Sequence, residues 1–223
     1  MRQPVACHLL QLRWANRKDP QYAHLIYFLN WPWFFLMYYL TENLIPPEAC
    51  TVVWSPLDDI IPFNQYFVIP YAGWYILLIL SLAYFALYKP KSFIQLSRYI
   101  IITQVVAMAI YILFPSCQNL RPTSFPQDTI LTRIMGYIYA TDTNTCVCPS
   151  LHVAYSLGMA SVWLRQRYVH LSLRLCIAIF CGLICISVAF VKQHSVLDIA
   201  AALPLGLLAE YLVFYHKWRR NPV

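Results

Sequence analysis

Long apolar stretches separated by short charged ones set the pattern of this chain. Six segments, roughly 23–41, 67–88, 97–115, 150–165, 172–191 and 195–216, approach the length of about 20 mostly apolar residues that a membrane-crossing helix needs. The pattern predicts an all-α fold: a six-helix transmembrane bundle forming a single membrane domain over residues 1–223. Trp31-Pro32-Trp33 lies inside the first segment and predicts a kink there, which membrane helices tolerate when neighbours re-satisfy the backbone. The stretch 1–21 has neither a long apolar centre nor a small-residue cleavage site, so the first segment is expected to stay as a span.

The charges between the segments orient the bundle. Arg2, Arg13, Arg17 and Lys18 precede the first segment, and Lys89, Lys91 and Arg98 lie between the second and third. Arg165, Arg167 and Arg174 separate the fourth from the fifth, and Lys217, Arg219 and Arg220 close the chain. In a six-span arrangement all of these share one side, leaving only Arg121, Arg133 and Lys192 on the other. That other side receives Glu42, Glu48, Asp58, Asp59, Asp128, Asp142 and Asp198. Basic loops stay cytoplasmic, so both termini are expected inside.

Composition agrees with this pattern. The chain is 60% hydrophobic and 11% charged, whereas a soluble domain carries about a quarter charged residues. The net charge of +7 does not point to nucleic acid, because the basic residues form short clusters with no stretch able to track a phosphate backbone. The expected partner is the lipid bilayer. The expected compartment is the plasma membrane, or the endoplasmic reticulum or Golgi in a eukaryote.

Three stretches on the non-cytoplasmic side carry chemistry: Leu120-Arg121-Pro122, Cys148-Pro149-Ser150-Leu151-His152, and Lys192 through Asp198. His194 and Asp198 are four residues apart and share one face of a helix that starts near His194. A carboxylate there can accept the proton of one imidazole nitrogen and leave the other as base or nucleophile. His152, at the start of the fourth segment, could protonate a leaving oxygen, and Arg121 offers a planar fork of donors suited to phosphate. Pro149 and Ser150 resemble a helix start, whose free amides favour an anion. Read singly, each has a plainer role. A boundary histidine is usually interfacial, which is the reading for His170 and His216; His-x-x-x-Asp can simply cap a helix; Arg121 can be a loop charge.

Together these motifs are similar to those of the type 2 phosphatidic acid phosphatase superfamily: Arg-Pro, then Pro-Ser-x-His, then His-x-x-x-Asp, over roughly residues 50–215. The resemblance implies a lipid phosphatase or phosphotransferase that works without a metal or cofactor. It implies His194 as the nucleophile that becomes phosphorylated, Asp198 as its orienting partner and His152 as general acid. Arg121, Ser150 and Lys192 would bind the substrate phosphate. The chain departs from the family pattern at Phe114, where a lysine is usual, at Leu151, where a glycine is usual, and at Ser187-Val188, where Ser-Arg is usual. Lys192 is positioned to replace one missing cation and Arg133 another. Leu151-His152 and Gln193-His194-Ser195-Val196-Leu197-Asp198 are similar to the inositol phosphorylceramide and sphingomyelin synthase branch, which implies head-group transfer as the alternative to hydrolysis. A non-catalytic scaffold or a transporter is the rival from another class; a transporter predicts charges near mid-span and inverted repeats.

Cys50, Cys117, Cys146 and Cys148 fall on the non-cytoplasmic side, where a disulfide within this set is permitted in an oxidising compartment. Cys146-x-Cys148-x-x-x-His152 is not a usual zinc spacing. Asp58 and Asp59 read as a solvated loop edge ahead of a carboxylate pair, the aromatic stretches around Tyr66, Tyr71 and Trp74 as an interfacial belt ahead of a lipid entry path, and Glu210 as a charge that pairs or snorkels within the last span.

Overall fold

Residues 19–216 are those the computed structural model describes, and they are mostly helical. Arg2, Arg13, Arg17, Lys18, Lys217, Arg219 and Arg220, on which the orientation of the termini partly rests, lie outside the described residues, as does Cys7. The helices are α1 (Asn30–Leu44), α2 (Pro56–Ile60), α3 (Val68–Tyr88), α4 (Pro90–Leu113), α5 (Ile130–Thr141), α6 (Leu151–Leu164), α7 (Leu171–Phe190) and α8 (Val196–Glu210). Four of the described helical stretches are long and apolar enough to cross a membrane: 65–88, 90–113, 171–190 and 196–215.

The other two predicted spans take different forms. A 3₁₀ turn over Ala23–Leu29 precedes α1, so the segment divides one residue before Trp31-Pro32. Proline lacks the amide that would continue a ladder from above, and it sits comfortably in a first helical turn. Helix α6 has 14 residues, about 21 Å at 1.5 Å per residue, shorter than a hydrocarbon core of about 30 Å. Helix α4 starts seven residues earlier than the apolar run, because Pro90 opens it and Ser92 and Phe93 in its first turn are buried.

Helix α6 is the hub, packed against α4, α7 and α8. Val153, Ala154, Met159 and Val162 on it are fully buried. Tyr99 of α4 crosses it at Gly158 and donates from its hydroxyl to the carbonyl of Gly206 at 3.0 Å. A Cβ on Gly158 would lie 2.5 Å from the Tyr99 ring, and one on Gly206 2.9 Å from its hydroxyl. Small residues here let three helices approach closely, the usual currency of helix association in lipid. Gly158→Ala is therefore expected to lower stability by about 1–3 kcal/mol, the range for overpacking a tight core. An unchanged thermal midpoint in detergent would show that Tyr99 has another place to go.

The two ends of the bundle differ chemically. At one end Lys89 lies 3.6 Å over the Tyr168 ring, Arg165 pairs with Glu210, and Ser161 donates to the same carboxylate at 2.6 Å. Glu210 is thus paired, as its sequence position suggested. The opposite end gathers the starts of α6 and α8 with the ends of α4 and α7. Its loops are knitted by a two-stranded parallel sheet, β1 (Thr51–Val52) with β2 (Ser116–Cys117), and by an antiparallel bridge from Cys117 to Thr145. Cys50, Cys117, Cys146 and Cys148 converge near this sheet as free thiols. Helices α2 and α5 also belong to this end. On the bundle flanks Ile76, Leu80, Leu183 and Leu207 are exposed, an apolar periphery of the kind that suits lipid.

Candidate active site

The site is built where two helices begin. Ser150 and Ser195 are the N-caps of α6 and α8, and their hydroxyls accept from the backbone N–H of Val153 and Leu197. The backbone N–H of Ser150 donates to the carbonyl of Asp198 at 3.1 Å, which ties one helix start to the other. Tyr111 of α4 donates to the carbonyl of Pro149 at 2.6 Å and fixes the turn between Cys148 and Ser150. Two helix N-termini thus meet at one place, each presenting partial positive charge.

His194, just before the N-cap of α8, pairs with Asp198 in that helix's first turn. Nδ1 of His194 lies 3.2 Å from Oδ2 of Asp198. An ionised carboxylate only accepts, so the proton sits on Nδ1 and Nε2 is left with its lone pair. The backbone N–H of Ser195 donates to the same carboxylate oxygen at 3.0 Å, and Asp198 is fully buried. The His152 ring centre is 5.9 Å from that of His194. His152 stacks on Tyr71 and lies against Trp74, with ring centres 4.7 and 4.2 Å away, and its Nε2 has no hydrogen-bond partner among the described residues.

Both imidazoles face a cavity of about 590 Å³ that also runs along α1 and α3. Trp31, Phe34, Tyr38, Trp74, Tyr75 and Tyr155 are among its walls. The volume suits a small molecule or a lipid head group with part of its chain. No Lys or Arg among the described residues lines it; its one carboxylate is Asp142, at the end of α5. Burial raises the Asp142 carboxyl above the usual range, partly countered by Arg121 and His194. Burial also pushes the Cys146 and Cys148 thiols up to about 12, so neither supplies a thiolate near neutral pH.

The structure brings His152, His194, Asp198 and Ser150 together, while the predicted cations stand beside them facing elsewhere. All five N–H donors of Arg121 are engaged by protein acceptors. Nε donates to Oε1 of Gln193 at 3.1 Å; Nη1 donates to the carbonyls of Tyr139 and Asp142 at 3.1 and 2.8 Å; Nη2 donates to the carbonyl of Thr143 at 2.6 Å and to Gln193 at 2.7 Å. The expected phosphate fork is here a strut that holds the 139–143 segment against the residue preceding His194. Lys192 adopts a positive φ of 55° and donates from Nζ to the carbonyl of Asp58 at 2.5 Å. Arg133 pairs with Asp128 at the surface, 2.7 Å away, and is not a replacement cation at the cavity.

Asp58 departs most from its expected place. Rather than edging a solvated loop, it is 2% exposed. Its Oδ2 accepts from Ser195 Oγ at 2.6 Å and from the N–H of Ser55 at 2.8 Å, and its Oδ1 from the N–H of Val196 at 2.8 Å. A buried carboxylate needs such donors, and here two of the three come from the start of α8. Asp58 therefore clamps the cap that positions His194 and Asp198. Its neighbour Asp59 stays exposed and accepts from Trp54. Among the described residues, no group of three or more His, Cys, Asp or Glu side chains is arranged to hold a metal.

No known family model, curated protein or solved structure matches the chain.

Proposed function

We propose that this chain is an integral membrane enzyme that transfers a phosphoryl group from a lipid phosphate or diphosphate through a phosphohistidine at His194. The observation that carries the proposal is the buried His194–Asp198 pair at 3.2 Å, with the His152 ring 5.9 Å from that of His194 on one cavity. In the first step Nε2 of His194 attacks phosphorus, a P–N bond forms and the P–O bond to the leaving group breaks. Protonated His152 gives its proton to the leaving oxygen. In the second step His152 takes a proton from water, whose oxygen attacks phosphorus and releases His194. Asp198 keeps the ring in the Nδ1–H tautomer and stabilises the positive charge that develops on it. The converging starts of α6 and α8 supply part of the electrostatic help that a loose, metaphosphate-like transition state needs.

The six-span arrangement belongs to the same proposal. The α1 segment with its preceding turn, α3, α4, α6, α7 and α8 cross. Both termini are then cytoplasmic and the site faces away from the cytoplasm, in the plasma membrane or an endomembrane. The grouping of Lys89 and Arg165 at the end opposite the histidines supports this orientation. The placing of His152, His194 and Asp198 at helix starts, rather than at mid-span, favours an enzyme over a transporter.

Hydrolysis is the first reading. Head-group transfer to a lipid alcohol is the second, favoured by the long aromatic cavity, which extends away from His194 and has room for an acceptor. Purified protein given phosphatidic acid, isoprenyl diphosphate, or a phospholipid with an acceptor lipid separates them. Release of inorganic phosphate supports the first, and a new head-group lipid supports the second. No phosphorus transfer in any of the three removes both.

A further inference from the structure

Helix α5 has two faces, and the bundle covers one of them. Thr132 and Met135 turn inward and are buried, with Leu131, Ile138 and Tyr139 partly buried beside them. Ile130, Ile134 and Tyr137 fall on the opposite face at helical spacing and are exposed, Ile130 by 75% and Tyr137 by 72%. A loop helix in water carries polar residues on its outer face. Single exposed apolar side chains are ordinary, but three in one stripe mark a surface that meets something apolar.

Both ends of α5 are tied to the same end of the bundle. At its start Thr129 Oγ donates to Oε1 of Gln65, just ahead of α3, at 2.5 Å. Near its finish the Tyr139 hydroxyl donates to the carbonyl of Val191, just past α7, at 2.5 Å. The 12 residues of α5 extend about 18 Å at 1.5 Å each. A helix of that length pinned at both ends to one level lies across the bundle end rather than along it.

The lipid-suited flank of α3 reaches the same level. Tyr66 and Ile69, around the start of α3, are exposed, and Ile76, Ile79 and Leu80 continue that surface toward mid-span. Helix α5 packs against α3 and against the 65–67 turn, so its apolar stripe adjoins this flank. Arg133, beside the stripe, is paired with Asp128 at 2.7 Å, and the pair adds no net charge to oppose contact with lipid.

Resting on α3 as a membrane span, and not on the chemistry at His194, we propose that α5 is an interfacial anchor. It lies in the plane of the bilayer surface with Ile130, Ile134 and Tyr137 dipped among the upper acyl chains of a phospholipid leaflet. Tyr137 is then an aromatic of the interfacial belt, and Arg133 stands at head-group level. Asp142, which caps the end of α5, lines the cavity beside the histidines. The depth of α5 in the leaflet therefore sets the depth of the cavity wall that it carries.

Photolabelling of the unaltered protein tests the anchor without turnover and without a variant that could misfold. Full-length wild type is reconstituted in dioleoyl phosphatidylcholine vesicles doped with one of two phosphatidylcholines. One carries a diazirine near the acyl carbonyl, the other at the terminal methyl. Light expels nitrogen, the carbene inserts into a bond within reach, and mass spectrometry locates the adduct. The near-carbonyl probe is expected to label α5 as heavily as the α3 flank at Ile69, within about twofold. With the terminal-methyl probe the α5 label should fall about tenfold while Ile79 and Leu80 stay labelled, because an interfacial helix enters the acyl boundary by only about 5–10 Å. Adducts on α5 should fall on Ile130, Ile134 and Tyr137 and spare Thr132 and Met135. No α5 label from the near-carbonyl probe overturns the anchor and gives the stripe to water or to a second copy of the chain. Equal α5 label from both probes, or adducts on Thr132 and Met135, overturns it as well. Absence of phosphorus transfer from every lipid would sink the transfer reading and leave the labelling result standing.

Discussion

His194→Ala is expected to lower turnover by on the order of 10⁴-fold or more, because covalent catalysis loses its nucleophile and no other group can replace it. Cys146 and Cys148 are held as thiols by burial and supply no thiolate in its place. Wild type quenched during turnover of a phosphorus-labelled lipid should carry label that is lost in acid and kept in base, as phosphohistidine behaves. His194→Ala should carry none. His152→Ala should behave differently, slowing an alkyl phosphate ester by about 10²–10³-fold, the usual worth of a general acid. With a p-nitrophenyl ester, whose leaving group needs no proton, that loss should shrink while the His194→Ala loss stays. Full activity in His194→Ala, or equal losses for both leaving groups in His152→Ala, would remove the assigned roles.

What could be read from the chain and what could not follow from how far each interaction reaches. The apolar runs that became α3, α7 and α8 were legible to within a few residues, because lipid-facing surface is written as continuous composition. The four-residue spacing of His194 and Asp198 did signal a pair, but His194 lies just outside α8, before the N-cap Ser195, and reaches Asp198 in the first turn from there. Helices α2 and α5 were not, since loop helices need only local caps: Ser55 with Asp58, and Thr129 with Thr132. Ser55-Pro56-Leu57-Asp58 does carry a capping-box signal. Nothing local, however, could say that the same carboxylate also reaches Ser195 Oγ, 137 positions along the chain. Arg121 was visible as a donor fork, but backbone carbonyls have no sequence signature. Its fork could equally have met a phosphate or, as happens here, the protein.

Those alternatives for Arg121 give the second large expected effect. If the guanidinium is a strut, Arg121→Lys should fail almost as badly as Arg121→Ala. One ammonium has three donors on a flexible stem and cannot meet the carbonyls of Tyr139, Asp142 and Thr143 together with Gln193. At about 0.5–1.5 kcal/mol for each hydrogen bond lost, both variants are expected to lose on the order of 3 kcal/mol of stability. Activity should fall with it, by 10²-fold or so for a misplacement of about 1 Å, because Arg121 fixes Gln193, the residue next to the nucleophile. The fall should appear in kcat as well as in KM. A phosphate ligand behaves otherwise: Arg121→Lys would keep the fold, raise KM and recover much of the activity lost in Arg121→Ala. Thermal unfolding of the two variants in detergent, alongside their kcat and KM on whichever lipid is turned over, therefore decides which role the arginine has.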